Sequence, residues 1–96
     1  FNVYPREVEE VLFAHSDISE VAVIGAPDPN LGEVIRCFVV SKNPELTEKQ
    51  LIEYCQAHLA KYKVPESIEF MDELPKNTTG KILRRALKNA VLQQTK

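Results

Sequence analysis

One lysine of this 96-residue chain is placed where its amine could take part in chemistry. Lys81 follows the turn-forming residues 77–80 and precedes a stretch, from Leu83 onward, whose apolar residues have helical spacing. Pro75 interrupts regular structure on the other side, so a flexible polar loop is predicted there. A lysine at the end of a loop and just ahead of a helix can project into the cleft of a partner.

The segment is not an ordinary phosphate-binding loop. That motif requires Gly-x-x-x-x-Gly-Lys followed by Ser or Thr, whereas Pro75 lies five residues before Gly80 and Ile82 follows Lys81. The chain has only three glycines, so closely spaced backbone amides cannot be built into a phosphate cradle. A nucleotide would therefore be held mostly by another domain, with Lys81 reaching in.

Charge is unevenly distributed along the chain. Residues 74–96 hold six Lys or Arg and no acid, whereas residues 1–73 hold six Lys or Arg against fourteen Asp or Glu. The basic end could meet nucleotide phosphate, an acidic protein surface, nucleic acid or a membrane, and a solvated helix face is the simpler explanation. Residues 72–96 contain no aromatic side chain on which a base could stack, which disfavours nucleic acid.

The two cysteines and two histidines form no pattern typical of a metal site or a nucleophile. Cys37 lies in a strand-like run and Cys55 in a helix-like run, both at apolar positions where a reduced thiol acts as a small hydrophobic group. His15 falls near a helix end and His58 on a helix flank, so structural roles are expected and no metal site is predicted. No apolar run approaches the roughly 20 residues that cross a bilayer.

The first half of the chain predicts a helix followed by a hairpin. A helix begins at Pro5 and ends near His15. Nearly continuous apolar runs at residues 19–26 and 33–42 predict two antiparallel strands that are covered on both faces. Turn-forming residues between them indicate a hairpin loop longer than the tightest kind.

The second half predicts a helix, a short strand, the loop and a last helix. Thr47 and Gln50 fit a capping box for a helix that reaches about residue 60. Residues 68–71 mark the third strand, and one face of the last helix carries Leu83, Leu87, Ala90 and Val91. The fold class is therefore α+β, with a small three-stranded mixed sheet that contains an antiparallel hairpin and is packed by about three helices.

The loop that carries Lys81 also belongs to a motif. The run Pro-Lys-x-x-x-Gly-Lys-Ile-x-Arg that begins at Pro75 resembles the last core motif of the adenylate-forming enzymes, which comprise acyl-CoA synthetases, peptide-synthetase adenylation domains and luciferases. Residues 1–9 resemble the segment that follows the hinge between the two domains of those enzymes. Residues 59–65 resemble the motif that lies between this segment and the last core motif. Residues 1–96 are thus similar to the mobile C-terminal domain, most of all that of bacterial medium- and long-chain fatty acyl-CoA ligases, with the large N-terminal domain absent.

This resemblance implies roles for particular residues. The enzyme would activate a carboxylic acid, expected to be fatty, as acyl-AMP and transfer the acyl group to coenzyme A. Lys81 would supply the positive charge of the adenylation step, and Thr79 and Gly80 would position its loop. After that step the domain would rotate, so that Phe1 and Asn2 lie near the coenzyme A channel.

The resemblance also implies cofactors and partners. ATP, coenzyme A and Mg²⁺ would be held mainly by the absent N-terminal domain, and none is expected in the isolated 96 residues, which should be inactive alone. The partners would be that adenylation domain and a small carboxylate, with no nucleic acid. The enzyme would be cytoplasmic, with peripheral membrane contact of the full-length protein left open. The alternative is a stand-alone module that uses its basic tail to bind nucleic acid or dock on a protein.

Four further cations lie near these motifs. Lys61 and Lys63 are expected at the surface, with contact to the large domain or to coenzyme A phosphates as the alternative. Arg84 and Arg85 are expected to solvate the last helix and to dock against the large domain.

Overall fold

The computed structural model describes residues 5–94, and the elements follow the predicted order. They are α1 (Pro5–Phe13), β1 (Ile18–Asp28), β2 (Gly32–Ser41), α2 (Glu48–His58), β3 (Ser67–Phe70) and α3 (Arg84–Gln94), with a short 3₁₀ turn at Lys61–Lys63. Within the described range, three helices pack on a three-stranded sheet. The predicted α+β class is confirmed.

The sheet is mixed, with the strand order β1-β2-β3. β1 and β2 are antiparallel, so that Asp28 lies opposite Gly32 at the hairpin end. β2 and β3 are parallel, with Arg36 opposite Ser67. Parallel neighbours need a crossover connection, and α2 lies on the connection between these two strands.

Both faces of the sheet are covered, as the continuous apolar runs predicted. Successive strand residues point to opposite faces, and two separate clusters of buried side chains result. One joins the sheet to α1 and α2 through Val8, Leu12, Val21, Val23, Cys37, Val39, Leu51 and Cys55. The other joins it to α3 and the preceding segment through Ala22, Ile24, Phe38, Leu74, Leu87 and Val91.

The predicted faces and ends of several elements differ from the structure. α1 ends at Phe13, two residues before His15, where the chain turns and Asp17 N–H donates to His15 Nδ1 at 3.1 Å. β1 runs on to Asp28 through Pro27, which an edge strand tolerates because one row of its N–H groups pairs with no neighbouring strand. In the last segment, Leu83 and Ala90 are exposed although both were predicted on the buried face.

The predicted capping box of α2 is present. Thr47 Oγ1 accepts a hydrogen bond from Gln50 N–H at 3.2 Å, and Gln50 Oε1 accepts one from Thr47 N–H at 3.0 Å. Two N–H groups that the helix itself cannot satisfy are thereby bound. This fixes the start of the helix that connects β2 to β3.

Cys37 and Cys55 are free, buried thiols in the same cluster, as predicted. Burial raises the pKa of the Cys55 thiol to about 11. Burial, and then the neighbouring Cys55 and Glu9, raises the pKa of the Cys37 thiol as well. Both thiols therefore stay protonated in the folded domain at neutral pH, where they pack as small hydrophobic groups.

The domain is expected to lose stability as pH rises from about 9 to about 11. In this range the unfolded chain releases the Cys55 proton, whose ordinary pKa is 9.0, while the folded chain keeps it. The group therefore contributes its full stability below pH 9 and loses it as pH rises through the folded pKa. Urea midpoints measured between pH 7 and pH 11 should fall accordingly. A Cys55→Ala variant should show a shallower decline, and equal slopes in the two proteins would contradict the expectation.

Candidate functional site

Lys81 lies on a short hairpin formed by residues 75–83, here called the lysine hairpin. Lys76 and Ile82 form an antiparallel bridge, and Leu83 N–H donates to the Pro75 carbonyl at 2.9 Å. Gly80 N–H donates to the Asn77 carbonyl at 3.0 Å and closes the turn. The segment predicted as a loop is therefore a hydrogen-bonded turn between two paired arms.

Gly80 adopts a left-handed backbone conformation, with φ of +85°. Residues with a Cβ atom pay an energetic cost in this region, whereas glycine does not. A Cβ built at this position would meet nothing within 4 Å. The turn therefore needs glycine at position 80 for its backbone conformation and not for space within the domain.

Asn77 binds both backbone polar groups of Lys81. Its Oδ1 accepts a hydrogen bond from Lys81 N–H at 2.9 Å, and its own N–H donates to the Lys81 carbonyl at 2.9 Å. The same Oδ1 accepts from Thr79 N–H at 3.0 Å and from Thr79 Oγ1 at 2.7 Å. Asn77 was predicted only as a turn-forming residue, although asparagine side chains commonly bind the backbone two residues onward in turns.

The side chain of Lys81 is exposed, and no other residue of the described range 5–94 forms a hydrogen bond or an ion pair with its ammonium. Two other cations near it along the chain, Lys76 and Arg84, differ because each forms an ion pair within the domain. Lys76 Nζ lies 2.8 Å from Glu20 Oε1, and Arg84 Nη2 lies 2.6 Å from Glu9 Oε1. Lys81 can therefore meet an anion outside the domain without first breaking an internal ion pair.

The same two ion pairs fix the lysine hairpin to the rest of the domain. Lys76 joins one arm to β1 through Glu20, and Arg84 joins the end of the other arm to α1 through Glu9. Glu9 also accepts a hydrogen bond from Val23 N–H at 2.9 Å. Its carboxylate thus connects α1, β1 and α3, and charge-assisted contacts of this kind are stronger than neutral ones.

These ion pairs reduce the free positive charge of the basic tail, residues 74–96. Arg84, which was expected to solvate the helix and dock against a large domain, binds Glu9 within the domain through Nε and Nη2. Lys76 is likewise paired with Glu20. Two of the six tail cations are thereby neutralised, which weakens the alternative of a continuous basic surface for nucleic acid. Arg85 and Lys88 are exposed on α3.

Lys63 was predicted at the surface, but in the structure it is largely covered and paired. Its side chain is 18% exposed, and its Nζ lies 2.7 Å from Glu7 Oε1 on α1. The hydrogen bond to Glu7 raises the pKa of Lys63. The pair joins the 3₁₀ turn to the first helix, so a structural role accounts for this residue, whereas Lys61 is exposed as predicted.

The remaining site predictions divide into two groups. Thr79 and Gly80 lie in the turn next to Lys81, whereas Phe1 and Asn2 lie outside the described residues. Within residues 5–94, no cluster of three or more His, Cys, Asp or Glu side chains could hold a metal ion. Over the same range, no helix has both the length and the apolar character that a membrane span requires.

The chain belongs to the AMP-binding enzyme C-terminal domain family, which it matches over residues 7–81. It is 52% identical over 89 residues to the long-chain-fatty-acid–CoA ligase of Salmonella typhimurium, an alignment that covers 93% of this chain and 16% of the ligase. A long-chain-fatty-acid–CoA ligase of Mycobacterium tuberculosis is 46% identical over 91% of this chain and 17% of its own. The resemblance found in the sequence is confirmed.

Solved structures agree with this assignment. A Mycobacterium tuberculosis fatty acyl CoA synthetase matches with a TM-score of 0.88 and 44% identity, over 94% of this chain and 18% of that one. ATP-bound MatB from Rhodopseudomonas palustris matches with a TM-score of 0.88 and 37% identity, over the same two shares. The chain thus spans less than a fifth of the proteins that it resembles.

Proposed function

We propose that this domain completes the active site of an AMP-forming acid–thiol ligase and supplies Lys81 to the adenylation half-reaction. The observation that carries this proposal is the exposed ammonium of Lys81, unpaired within the described residues, on a hairpin that Lys76 and Arg84 tie to the domain through ion pairs. The domain belongs to a family named for AMP-binding enzymes. Such a cation is available for an anionic ligand held by a separate domain.

The adenylation step brings two anions together, and this explains the need for a cation. A carboxylate attacks the α-phosphate of ATP, and a positive charge between them offsets their repulsion and stabilises the charge on the transferring group. Lysine suits this task because its charge is compact and its stem is long and flexible, so one amine can contact a carboxylate oxygen and a phosphate oxygen.

The proposed enzyme requires ATP, coenzyme A and Mg²⁺, and we assign their binding mainly to the large domain. The described residues hold no metal-ligand cluster, and the exposed Lys81 ammonium is suited to an anion and not to a metal ion. Mg²⁺ in the complete enzyme would add further positive charge at the phosphates. The contribution of this chain is then one mobile charge, delivered by the domain as a whole.

The second half-reaction and the substrate complete the proposal. Residues 1–96 form the C-terminal domain, which rotates after the acyl-adenylate forms and removes Lys81, while Phe1 and Asn2 come near the coenzyme A channel. The acid is fatty, because the relatives named above are long-chain-fatty-acid–CoA ligases. The partner is the N-terminal domain of the same protein, in the cytoplasm, and peripheral membrane contact of that protein stays a prediction.

The proposal is tested by joining the domain to its large domain. The 96-residue chain alone should show no exchange of pyrophosphate into ATP, since it lacks a phosphate cradle, and the complete protein should show exchange that depends on a fatty acid. The isolated domain is the control for the exchange assay. A gel-shift assay with RNA at low salt tests the nucleic-acid alternative. Robust exchange by the 96 residues alone would contradict the proposal. So would a salt-sensitive shift of RNA at micromolar protein, if the complete protein showed no acid-dependent exchange.

A further inference from the structure

We propose that Asn77 is a positioning residue for the catalytic lysine, an inference that rests on the function proposed above. Asn77 directs its Oδ1 back into the lysine hairpin, where it accepts the Lys81 N–H, and its backbone N–H binds the Lys81 carbonyl. One residue thus fixes the peptide groups on both sides of the Lys81 Cα atom.

This arrangement sets the direction in which the lysine side chain leaves the backbone. The Cα–Cβ bond is oriented by the two flanking peptide groups, and the hydrogen bonds to Asn77 are both 2.9 Å long. Within residues 5–94, the exposed Lys81 ammonium forms no hydrogen bond or ion pair that could hold it. The direction in which the Lys81 side chain leaves the chain therefore depends on its backbone, and the Asn77 side chain is one of the groups that hold that backbone.

Thr79 contributes to the same arrangement by fixing the asparagine side chain. Its N–H and its hydroxyl both donate to Asn77 Oδ1, at 3.0 and 2.7 Å. With Lys81 N–H, the oxygen has three donors, so its rotamer is held from three directions. The Asn77 amide nitrogen has no hydrogen bond within the described range, and the side chain is therefore used purely as an acceptor.

The expected consequence is a selective effect on the adenylation step. Correct placement of a reacting group lowers the barrier, and misplacement by about 1 Å can cost about 10²-fold in rate. Asn77→Ala removes the acceptor and leaves three donors at an exposed turn, where water can replace it. The hairpin arms and both ion pairs do not involve the Asn77 side chain, so the domain should remain folded while the Lys81 backbone loses one of the contacts that hold it.

The test uses the full-length enzyme with its two half-reactions measured separately. Asn77→Ala should lower the kcat of acid-dependent pyrophosphate exchange by about 10-fold or more, with little change in the KM for ATP. Transfer from supplied acyl-AMP to coenzyme A should stay within about twofold of wild type. Asn77→Ser should restore part of the exchange rate, because a serine hydroxyl forms similar but weaker backbone contacts in turns. Asn89→Ala, at an exposed asparagine of α3, should leave both rates unchanged.

A double-mutant cycle separates this inference from the function on which it rests. Once Lys81 is alanine, the removal of Asn77 should cause almost no further loss, because a residue that acts through another is silent in its absence. If Lys81→Ala does not slow exchange, the proposed function fails and this inference fails with it. If Lys81→Ala slows exchange but Asn77→Ala has its full effect in that background, or slows both half-reactions equally, only the inference is overturned. Should Asn77→Ala not fold, Asn77→Ser enters the same cycle, and additivity there would also overturn it.

Discussion

Under the proposed function, replacement of Lys81 by alanine in the full-length protein is expected to slow acyl-adenylate formation by on the order of 10²–10³-fold. This is the loss typical of removing one preorganised group that stabilises charge in a transition state. The expectation follows from the exposed ammonium on the lysine hairpin, which is free of ion pairs within the described residues. Exchange of labelled pyrophosphate into ATP measures the step directly, because exchange requires formation of the adenylate and its reversal.

Two comparisons make this result specific. Lys88→Ala removes another exposed lysine from the same tail, and it should leave exchange close to the wild-type rate if the position of the charge matters more than the total charge. Lys81→Arg should also be poorly active, because guanidinium is planar and cannot place its charge as a compact ammonium does. Near-normal adenylation by Lys81→Ala would refute the catalytic assignment. A protein-docking role for the basic helix would instead tolerate Lys81→Arg.

Leu51→Ala is expected to reduce the free energy of unfolding by about 2–5 kcal/mol. Leu51 is fully buried on α2, within the cluster that joins α1 and α2 to the sheet. Truncation removes favourable burial and leaves a cavity that the surroundings fill only in part. Single domains have about 5–15 kcal/mol of stability in total, so this loss is a large share. Urea unfolding of the domain followed by circular dichroism measures the difference.

Leu31→Ala provides the matched control for this prediction. Leu31 lies in the hairpin loop between β1 and β2 and is 63% exposed. Surface changes away from special features usually stay within about 0.5 kcal/mol. Equal destabilisation by the two variants would show that the cluster around α2 is not the main source of stability.

The order of elements could be predicted because its signals are local. The capping box at Thr47 and Gln50 specifies the start of α2 from residues three positions apart. The continuous apolar runs of β1 and β2 predicted a sheet with both faces covered, which the two clusters confirm. The ends of the elements depend on tertiary context, since the continuation of β1 through Pro27 depends on its place at the edge of the sheet.

The long-range contacts of the site could not be predicted in the same way. Glu9 and Arg84 are 75 positions apart in the sequence. The distribution of charged residues along a sequence does not specify which acid pairs with which base. Lys63 was assigned to the surface for the same reason, although it pairs with Glu7. Asn77 differs, because its contacts span only two to four residues. Its turn-forming tendency was recognised, but the acceptor role of its side chain was not.

The anchoring of the lysine hairpin has a consequence for the timing of the proposed reaction cycle. With one arm tied to β1 through Lys76 and the end of the other tied to α1 through Arg84, the hairpin is held to the rest of the domain. Clearing the cleft between the half-reactions would require the whole body of the domain to swing. The interval between adenylation and thioester formation would then be governed by torsions at the linker to the large domain.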